Sequence, residues 1–144
     1  MREATPADLP VLAVMNKGLI EDEGSRNSMG LEALQAQMRG WLEAEDWKVR
    51  MLEVKGKPVG YVLYRVGREE HFSENPRVYL RQFYVLPDRQ KQGLGRAAMG
   101  MSIGHHLPLD ATVVLDVLAN NRAGIAFWRG LGFRDHALTL ERRP

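Results

Sequence analysis

The stretch that decides the fold of this chain is Val85-Leu86-Pro87-Asp88-Arg89-Gln90-Lys91-Gln92-Gly93-Leu94-Gly95-Arg96. An apolar strand ends at Val85, and Pro87 stops the strand because it has no N–H to donate. A short basic loop follows, and two glycines then precede a helical pattern. Because the unpaired N–H groups of that helix face the same space as the glycine backbone, the stretch predicts a phosphate-binding loop.

Two common classes of glycine loop do not fit this stretch. A nucleoside-triphosphate loop needs Gly-Lys-Ser/Thr, whereas Gly95 is followed by Arg96. A dinucleotide fingerprint is formally present from Gly93 to Ala98, but seven residues separate it from the strand end at Val85. That fingerprint belongs in the tight turn directly after a strand, near the start of a large parallel sheet. About fifty residues follow it here, which is too few for the rest of such a sheet.

Coenzyme A is the third ligand class, and two motifs favour it. The pattern Gln90-x-x-Gly93-x-Gly95 resembles the pyrophosphate-binding motif of the GNAT superfamily of N-acetyltransferases. Residues 115–133 resemble the family's next strand, its next helix and its Gly-Phe ending, with the family's asparagine at Asn121. The motifs lie in the family's order, about 28 residues apart. The resemblance extends more loosely over the whole chain.

The resemblance and the hydrophobic pattern together predict one α+β domain over residues 1–144. The expected architecture is a mixed, mostly antiparallel central sheet with about four flanking helices, in the order βααβββαβαβ. Strands are predicted at 2–4, 48–54, 58–66, 77–85, 112–118 and 136–141. Helices are predicted to start at Pro6 and Leu31, and to cover 94–107 and 122–131.

The resemblance also implies a cofactor site. In the family, the strand before the glycine loop separates from its neighbour, pantetheine pairs with the free backbone groups, and one amide polarises the thioester carbonyl. The cosubstrate implied is acetyl-CoA. Its predicted binding residues are Phe83, Tyr84, Val85, Gln90, Lys91, Gln92, Gly93, Leu94, Gly95, Arg96, Asn121, Phe127 and Trp128.

Proton transfer is the second requirement of the implied reaction, because an alkylammonium with a pKa near ~10.4 must lose a proton before it attacks. Asp116 matches a position that is glutamate in some family members and acts there as the base; Glu69 and Glu70 are alternatives. Many members have a tyrosine acid where this chain has Trp128, and indole is no usable acid. Either Tyr84 replaces that acid or the thiolate, with a pKa near ~8.5, leaves without one.

Charge is distributed unevenly along the chain. Residues 1–47 carry a net charge of −5 and residues 48–144 a net charge of +7. A basic stretch suits a ligand with several phosphates, and the acidic run Glu21-Asp22-Glu23 suits a cationic amine, although a solvated loop would have the same composition. A nucleic-acid surface is disfavoured because no Lys/Arg run is longer than two residues.

Composition limits the remaining choices. The chain has no cysteine, no apolar run of 18 residues and no apolar stretch of a secretory signal near Met1, which fits a cytoplasmic protein without a membrane partner or a thiolate metal site. The predicted function is transfer of an acetyl group to a primary amine of a small molecule or peptide, by a monomer or homodimer. The alternatives are a non-catalytic CoA-binding sensor or interaction module and a dinucleotide oxidoreductase.

Overall fold

One five-stranded sheet organises the protein, in a computed structural model that describes residues 1–67, 76–90, 93–101, 107 and 110–144. The strands follow one another across the sheet in chain order, and only the last pair is parallel. This confirms the predicted α+β class with a mostly antiparallel sheet. The strands are β1 (Arg2–Glu3), β2 (Trp47–Val54), β3 (Lys57–Gly67), β4 (Arg77–Val85) and β5 (Thr112–Val114).

Helices cover both faces of this sheet. They are α1 (Leu9–Asp22), α2 (Leu31–Glu43), the single turn α3 (Pro87–Gln90), α4 (Leu94–Met101) and α5 (Arg122–Gly130). The basic segment after β4 is therefore a helical turn rather than the expected loop. The predicted continuation of α4 to residue 107 falls mostly outside the described residues. Within the described part of the chain, none of these helices has the length and apolar character needed to cross a membrane.

Two apolar clusters lie on opposite faces of the sheet. The first joins α1 and α2 to β2, β3 and β4, with Leu12, Met38 and Tyr61 fully buried. The second joins α4, α5 and β5 to the opposite face of the same strands, around Val62, Val78 and Met99. Because side chains alternate between faces along a strand, neighbouring residues of β4 belong to different clusters: Phe83 packs with the second and Tyr84 with the first.

Asp8 ties the start of α1 to the edge of the sheet. A 3₁₀ turn over Pro6–Asp8 precedes the helix, and the Thr5 N–H donates to Oδ2 of Asp8 at 2.8 Å. The Arg2 guanidinium donates to both oxygens of the same buried carboxylate, each at 2.8 Å. The hydrogen bonds from Arg2 hold the pKa of Asp8 below its usual value, despite the opposing effect of burial.

The predicted strand over residues 136–141 is wrong. Residues 133–144 form neither helix nor strand, and the side chains of Leu138 and Leu140 are 87% and 88% exposed. The neighbouring strand β5 also ends at Val114 rather than at residue 118, so no long strand edge is in place to receive a partner. Alternation of apolar residues predicts a strand only where a sheet edge can pair with it.

We expect Asp8→Ala to lower the free energy of unfolding by about 1–3 kcal/mol at pH 7, because a buried, doubly bonded carboxylate is lost. Asp8 has a lowered pKa, so its contribution is complete above its ordinary value of 3.8 and is lost as the pH falls through the folded value. Urea unfolding at pH 7 and below pH 3.8 measures the difference. The exposed Arg129–Asp135 pair provides the control, Asp135→Ala, which should change little.

Candidate active site

The ladder between β4 and β5 is short. The two strands pair only at Arg77–Tyr79 with Thr112–Val114, whereas β4 continues to Val85. From Leu80 onward, β4 pairs with β3 on one edge and with no strand on the other, among the residues that the structure describes. A wedge-shaped gap therefore opens along the second half of β4.

Backbone polar groups of β4 face this gap. The Leu86 N–H donates to the Val59 carbonyl at 2.8 Å. In an antiparallel ladder, this bond makes the adjacent partners Gly60 and Val85 a non-hydrogen-bonded pair. The N–H and C=O groups of Val85 therefore point away from β3. The same alternation turns the polar groups of Phe83 away from β3. The Val85 carbonyl accepts a hydrogen bond from Nε2 of Gln90 at 2.6 Å. Two N–H groups, on Phe83 and Val85, thus face the gap.

The glycine stretch lies at the wide end of this gap. Gly93 has a φ of +72°, a conformation that side chains other than glycine rarely adopt. The first helical hydrogen bond of α4 runs from the Ala97 N–H to the Gly93 carbonyl, so the N–H groups of residues 94–96 have no carbonyl partner within the helix. Lys91 and Gln92, both predicted to bind the cofactor, lie outside the described residues.

Aromatic rings connect β4, α4 and α5 behind the glycine turn. Phe83 stacks on Phe127 with ring centroids 6.0 Å apart, and Trp128 lies edge-on to both rings. Gly95 of α4 lies against the rings of Phe127 and Phe83, and a Cβ at this position would approach the Phe127 ring to 3.4 Å. The two sequence motifs are thus in contact, and the α5 motif holds the glycine helix against β4.

A polar cavity of about 230 Å³ lies on the opposite face of the sheet, between α1, α2 and β4. It is smaller than the ~300–1,000 Å³ of typical drug-binding pockets. Its walls combine a half-buried carboxylate, a guanidinium, amides, hydroxyls and one indole. The lining residues are Asn16, Leu19, Ile20, Glu23, Ser25, Asn27, Gln37, Trp41, Tyr79, Arg81 and Gln82. A second cavity, of about 270 Å³, is lined by β1, β2 and the end of α2, without a residue of β4 or β5.

The acidic run Glu21-Asp22-Glu23 lies beside this cavity. Contrary to the expectation of a loop, α1 continues through Asp22, and Glu23 caps it. Carboxylates at a helix C-terminus are disfavoured by the helix dipole, at a cost of ~0.3–1 kcal/mol each. Burial, and secondarily the Asp22 carboxylate, raises the pKa of Glu23. The run is therefore placed where it reduces stability.

Comparison with known proteins identifies the family. The model of the acetyltransferase (GNAT) family matches residues 19–133, which is most of the chain. The chain belongs to the GNAT family. It therefore belongs with the acyltransferases, and the family generally uses acetyl-CoA. No curated protein sequence matches the chain with significance.

Solved structures agree with this GNAT assignment. A possible acetyltransferase from Clostridium difficile 630 superposes with a TM-score of 0.81 at 16% identity, over 99% of this chain and 95% of the other. An aminoglycoside 6'-N-acetyltransferase from Acinetobacter haemolyticus has a TM-score of 0.77 at 15% identity, over 99% of this chain and 96% of the other. An aminoglycoside acetyltransferase from an uncultured soil metagenomic sample, in complex with sisomicin, has a TM-score of 0.70 at 18% identity, over 99% of this chain and 94% of the other. At these identities the likeness concerns the fold.

Two residues of the predicted cofactor site hold the ends of α5. The Asn121 side chain caps the helix, accepting the Gly124 N–H at 3.0 Å. The Arg96 guanidinium donates to the Gly130 carbonyl at 3.2 Å, at the negative end of the same helix. Arg96 thus joins the glycine helix to α5, whereas Asn121 stabilises the start of α5 itself.

Tyr84 lies on the other face from Phe83, in the first apolar cluster. It is 5% exposed, and its hydroxyl is packed so closely on α1 that a Cβ at Gly18 would approach it to 2.5 Å. Burial raises the pKa of Tyr84, and the nearby carboxylates of Asp22 and Glu21 raise it further. The hydroxyl consequently remains protonated and is a hydrogen-bond donor over a wide pH range.

Asp116 reaches the cavity through another tyrosine. It lies just beyond the end of β5 and is exposed, and its Oδ2 accepts the Tyr79 hydroxyl at 2.9 Å. Burial raises the pKa of Tyr79, and the hydrogen bond to Asp116 adds to this effect. Because Tyr79 lines the cavity, the carboxylate is linked to the cavity through this hydrogen bond. The alternative bases Glu69 and Glu70 lie outside the described residues.

Asn16 and Tyr61 are residues that the sequence analysis did not single out. The Tyr61 hydroxyl donates to Oε1 of Gln82 at 2.8 Å; burial raises the pKa of Tyr61, as does the carboxylate of Glu23. Asn16 is fully buried, and neither atom of its amide has a hydrogen-bond partner among the described residues. A signal for Asn16 was present, because it interrupts the apolar spacing of Leu12 and Leu19 on one face of α1.

We expect Asn16→Leu to raise the free energy of unfolding by about 1–3 kcal/mol, because the cost of a buried, unpaired amide disappears while the branched shape at Cγ is kept. Urea denaturation of the chain without ligand measures it. Leu12→Ala, one turn earlier on the same face, is the control and should lower the free energy of unfolding by about 2–5 kcal/mol. A loss of similar size for Asn16→Leu would mean that the amide is paired in solution.

Proposed function

We propose that this protein is an N-acetyltransferase that transfers an acetyl group from acetyl-CoA to a primary amine of a small or flexible cationic acceptor. The observation that carries the proposal is the gap beside β4, which opens directly ahead of the glycine turn at Gly93. Support comes from the polar cavity on the other face of the same strand, beside the acidic run Glu21-Asp22-Glu23. The proposal includes a cytoplasmic location, for which the cysteine-free composition is the only support.

The chain offers groups that fit each part of acetyl-CoA. The N–H groups of Phe83 and Val85 can bind the amide groups of pantetheine as a neighbouring strand would. The unpaired N–H groups at the start of α4 can bind pyrophosphate, with the guanidinium of Arg96 close by. When bound, acetyl-CoA supplies the thioester whose C–S bond breaks as the new N–C bond forms.

The reaction needs three things from the protein. A backbone N–H of β4 stabilises the charge that develops on the thioester oxygen. A carboxylate takes the proton from the ammonium, and Asp116, linked to the cavity through Tyr79, is our proposed base. No acid is required: the raised pKa of Tyr84 lies well above the ~8.5 of a thiol, so its hydroxyl is a poor proton donor to the thiolate.

A non-catalytic CoA-binding module is the second candidate. The observation in its favour is Trp128, which stands where many family members have a tyrosine acid and which packs against three other aromatic rings. The two candidates differ in one measurement, the release of CoA thiol in the presence of a panel of amines. Thiol release above the rate of hydrolysis supports the enzyme, and acetyl-CoA binding without release supports the module.

Acetyl-CoA should bind at micromolar levels and raise the melting temperature, because only the folded state binds it. We expect Gly95→Glu to abolish both effects, since it places a carboxylate at the proposed pyrophosphate site. Its control is Gly100→Glu on the same helix, where a Cβ meets no atom within 4 Å, so the charge is added without the contact. Calorimetry that detected NAD(P) but no CoA binding would contradict the proposal.

Asp116→Asn should lower kcat/KM by ~100-fold or more while CoA affinity is unchanged, because the amide cannot accept the proton. The loss should shrink at high pH, where more of the amine is already neutral. Steady-state kinetics between pH 6 and 10 measure both. Tyr79→Phe removes the hydroxyl that links the carboxylate to the cavity but keeps the carboxylate, so it should lower kcat/KM less than Asp116→Asn. An unchanged rate would assign the role to Glu69, Glu70 or water.

Replacing Glu21, Asp22 and Glu23 with their amides should raise the KM for the acceptor and leave the KM for acetyl-CoA unchanged. For the wild type, the acceptor KM should also increase with salt, because screening weakens attraction between opposite charges. Kinetics at low and high ionic strength test both effects. Wild-type kinetics in the triple variant would show that the acidic run has no role in acceptor binding.

A further inference from the structure

The charged side chains of the 230 Å³ cavity form an unusual pair. Of its lining residues, only Glu23, at the end of α1, and Arg81, on β4, carry a full charge. Among the described residues, neither forms a salt bridge, with the other or with any third group. Arg81 is exposed, whereas Glu23 is half-buried, and a half-buried carboxylate is normally paired because desolvation penalises it otherwise. One carboxylate and one guanidinium on the walls of one cavity match a ligand that carries both an ammonium and a carboxylate.

Arg81 is held in a way that suits this task. Its guanidinium lies over the Trp41 ring, 5.1 Å from the centroid. Stacking uses the face of the guanidinium and leaves its N–H edges for hydrogen bonds, and one of these interactions is with the Tyr79 hydroxyl in the cavity wall. The remaining N–H groups can bind a carboxylate. The fully buried amide of Asn16, which also lines the cavity and has no protein partner, adds a donor and an acceptor.

Building on the proposed function, we propose that the acceptor is a small amino acid with a second cationic group, bound with its ammonium at Glu23 and its carboxylate at Arg81. The cavity volume suits a molecule of this size rather than an oligosaccharide. The exposed carboxylates of Glu21 and Asp22, next to Glu23 in the sequence, would attract the second positive charge of the acceptor. This class differs from the aminoglycosides named for two structural neighbours.

A matched pair of acceptors tests the proposal with the wild-type chain. Lysine and 1,5-diaminopentane differ only in the carboxylate, so thiol release from acetyl-CoA with each gives its contribution directly. We expect kcat/KM to be at least about tenfold higher for lysine, as for other hydrogen bonds to charged groups. Equal or faster acetylation of the diamine would overturn the inference and leave the proposed function intact. Thiol release with neither would also overturn the inference, and the proposed function would fall with it only if no amine of the panel released thiol.

Variants assign the preference to one residue. Arg81→Gln should remove the preference by lowering kcat/KM for lysine alone, whereas Glu23→Gln should lower it for both acceptors. Arg65→Gln is the matched control, because Arg65 also lies over a tryptophan, 5.0 Å from the Trp47 centroid, but does not line the cavity. It should retain the preference. If Arg65→Gln and Arg81→Gln behave alike, Arg81 does not bind the carboxylate. Melting temperatures of all variants verify that each is folded.

Discussion

The early end of the β4–β5 ladder is the constraint on which the rest of this molecule depends. Parallel pairing stops at Tyr79 and Val114, so the polar groups of later β4 residues that point away from β3 have no strand partner in the part of the chain that the structure describes. A buried backbone N–H without a partner is costly, and a fold that retains such groups needs another partner for them. Contacts between aromatic rings and a hydrogen bond to the C-terminal end of α5, rather than strand pairing, hold helices α4 and α5 beside the gap.

The face of the sheet that carries the polar cavity contains features that reduce stability. The carboxylates at the end of α1 lie at the wrong end of a helix dipole, and Asn16 occupies a core position without a partner. Each feature reduces stability, and each lines or borders the same cavity. The apolar cluster around Leu12, Met38 and Tyr61 offsets these costs. Features that oppose folding and gather at one place are typical of binding sites.

Sequence patterns anticipated the elements whose residues decide their own conformation. Strand β4 has the predicted bounds, and the hairpin between β2 and β3 turns at Lys55–Gly56, both with positive φ, as the turn residues indicated. The glycine motif and the α5 motif were predicted separately and prove to be in contact. The pattern of β5 failed because its apolar run continues after the pairing ends, and pairing depends on a partner distant in sequence.

The cavity was harder to foresee for the same reason. Asn16, Trp41 and Arg81 come from three elements, and no spacing along the chain shows that they line one cavity. The broken periodicity at Asn16 was visible, but a single polar residue on an apolar helix face has many explanations. Charge segregation did point to the acidic end of α1. Charge segregation along the chain could not show that the guanidinium of Arg81 lines the same cavity.

The C-terminal segment has a consequence for the handling of the protein. Residues 133–144 run without a strand partner, held by the exposed Arg26–Glu141 and Arg129–Asp135 pairs, and they present Leu138 and Leu140 to solvent. An extended segment with apolar side chains at alternate positions can add to an open strand edge of another molecule. The formal net charge is only +2, so repulsion between molecules is weak. Colloidal behaviour at high concentration is therefore governed by a part of the molecule remote in sequence from the glycine motif.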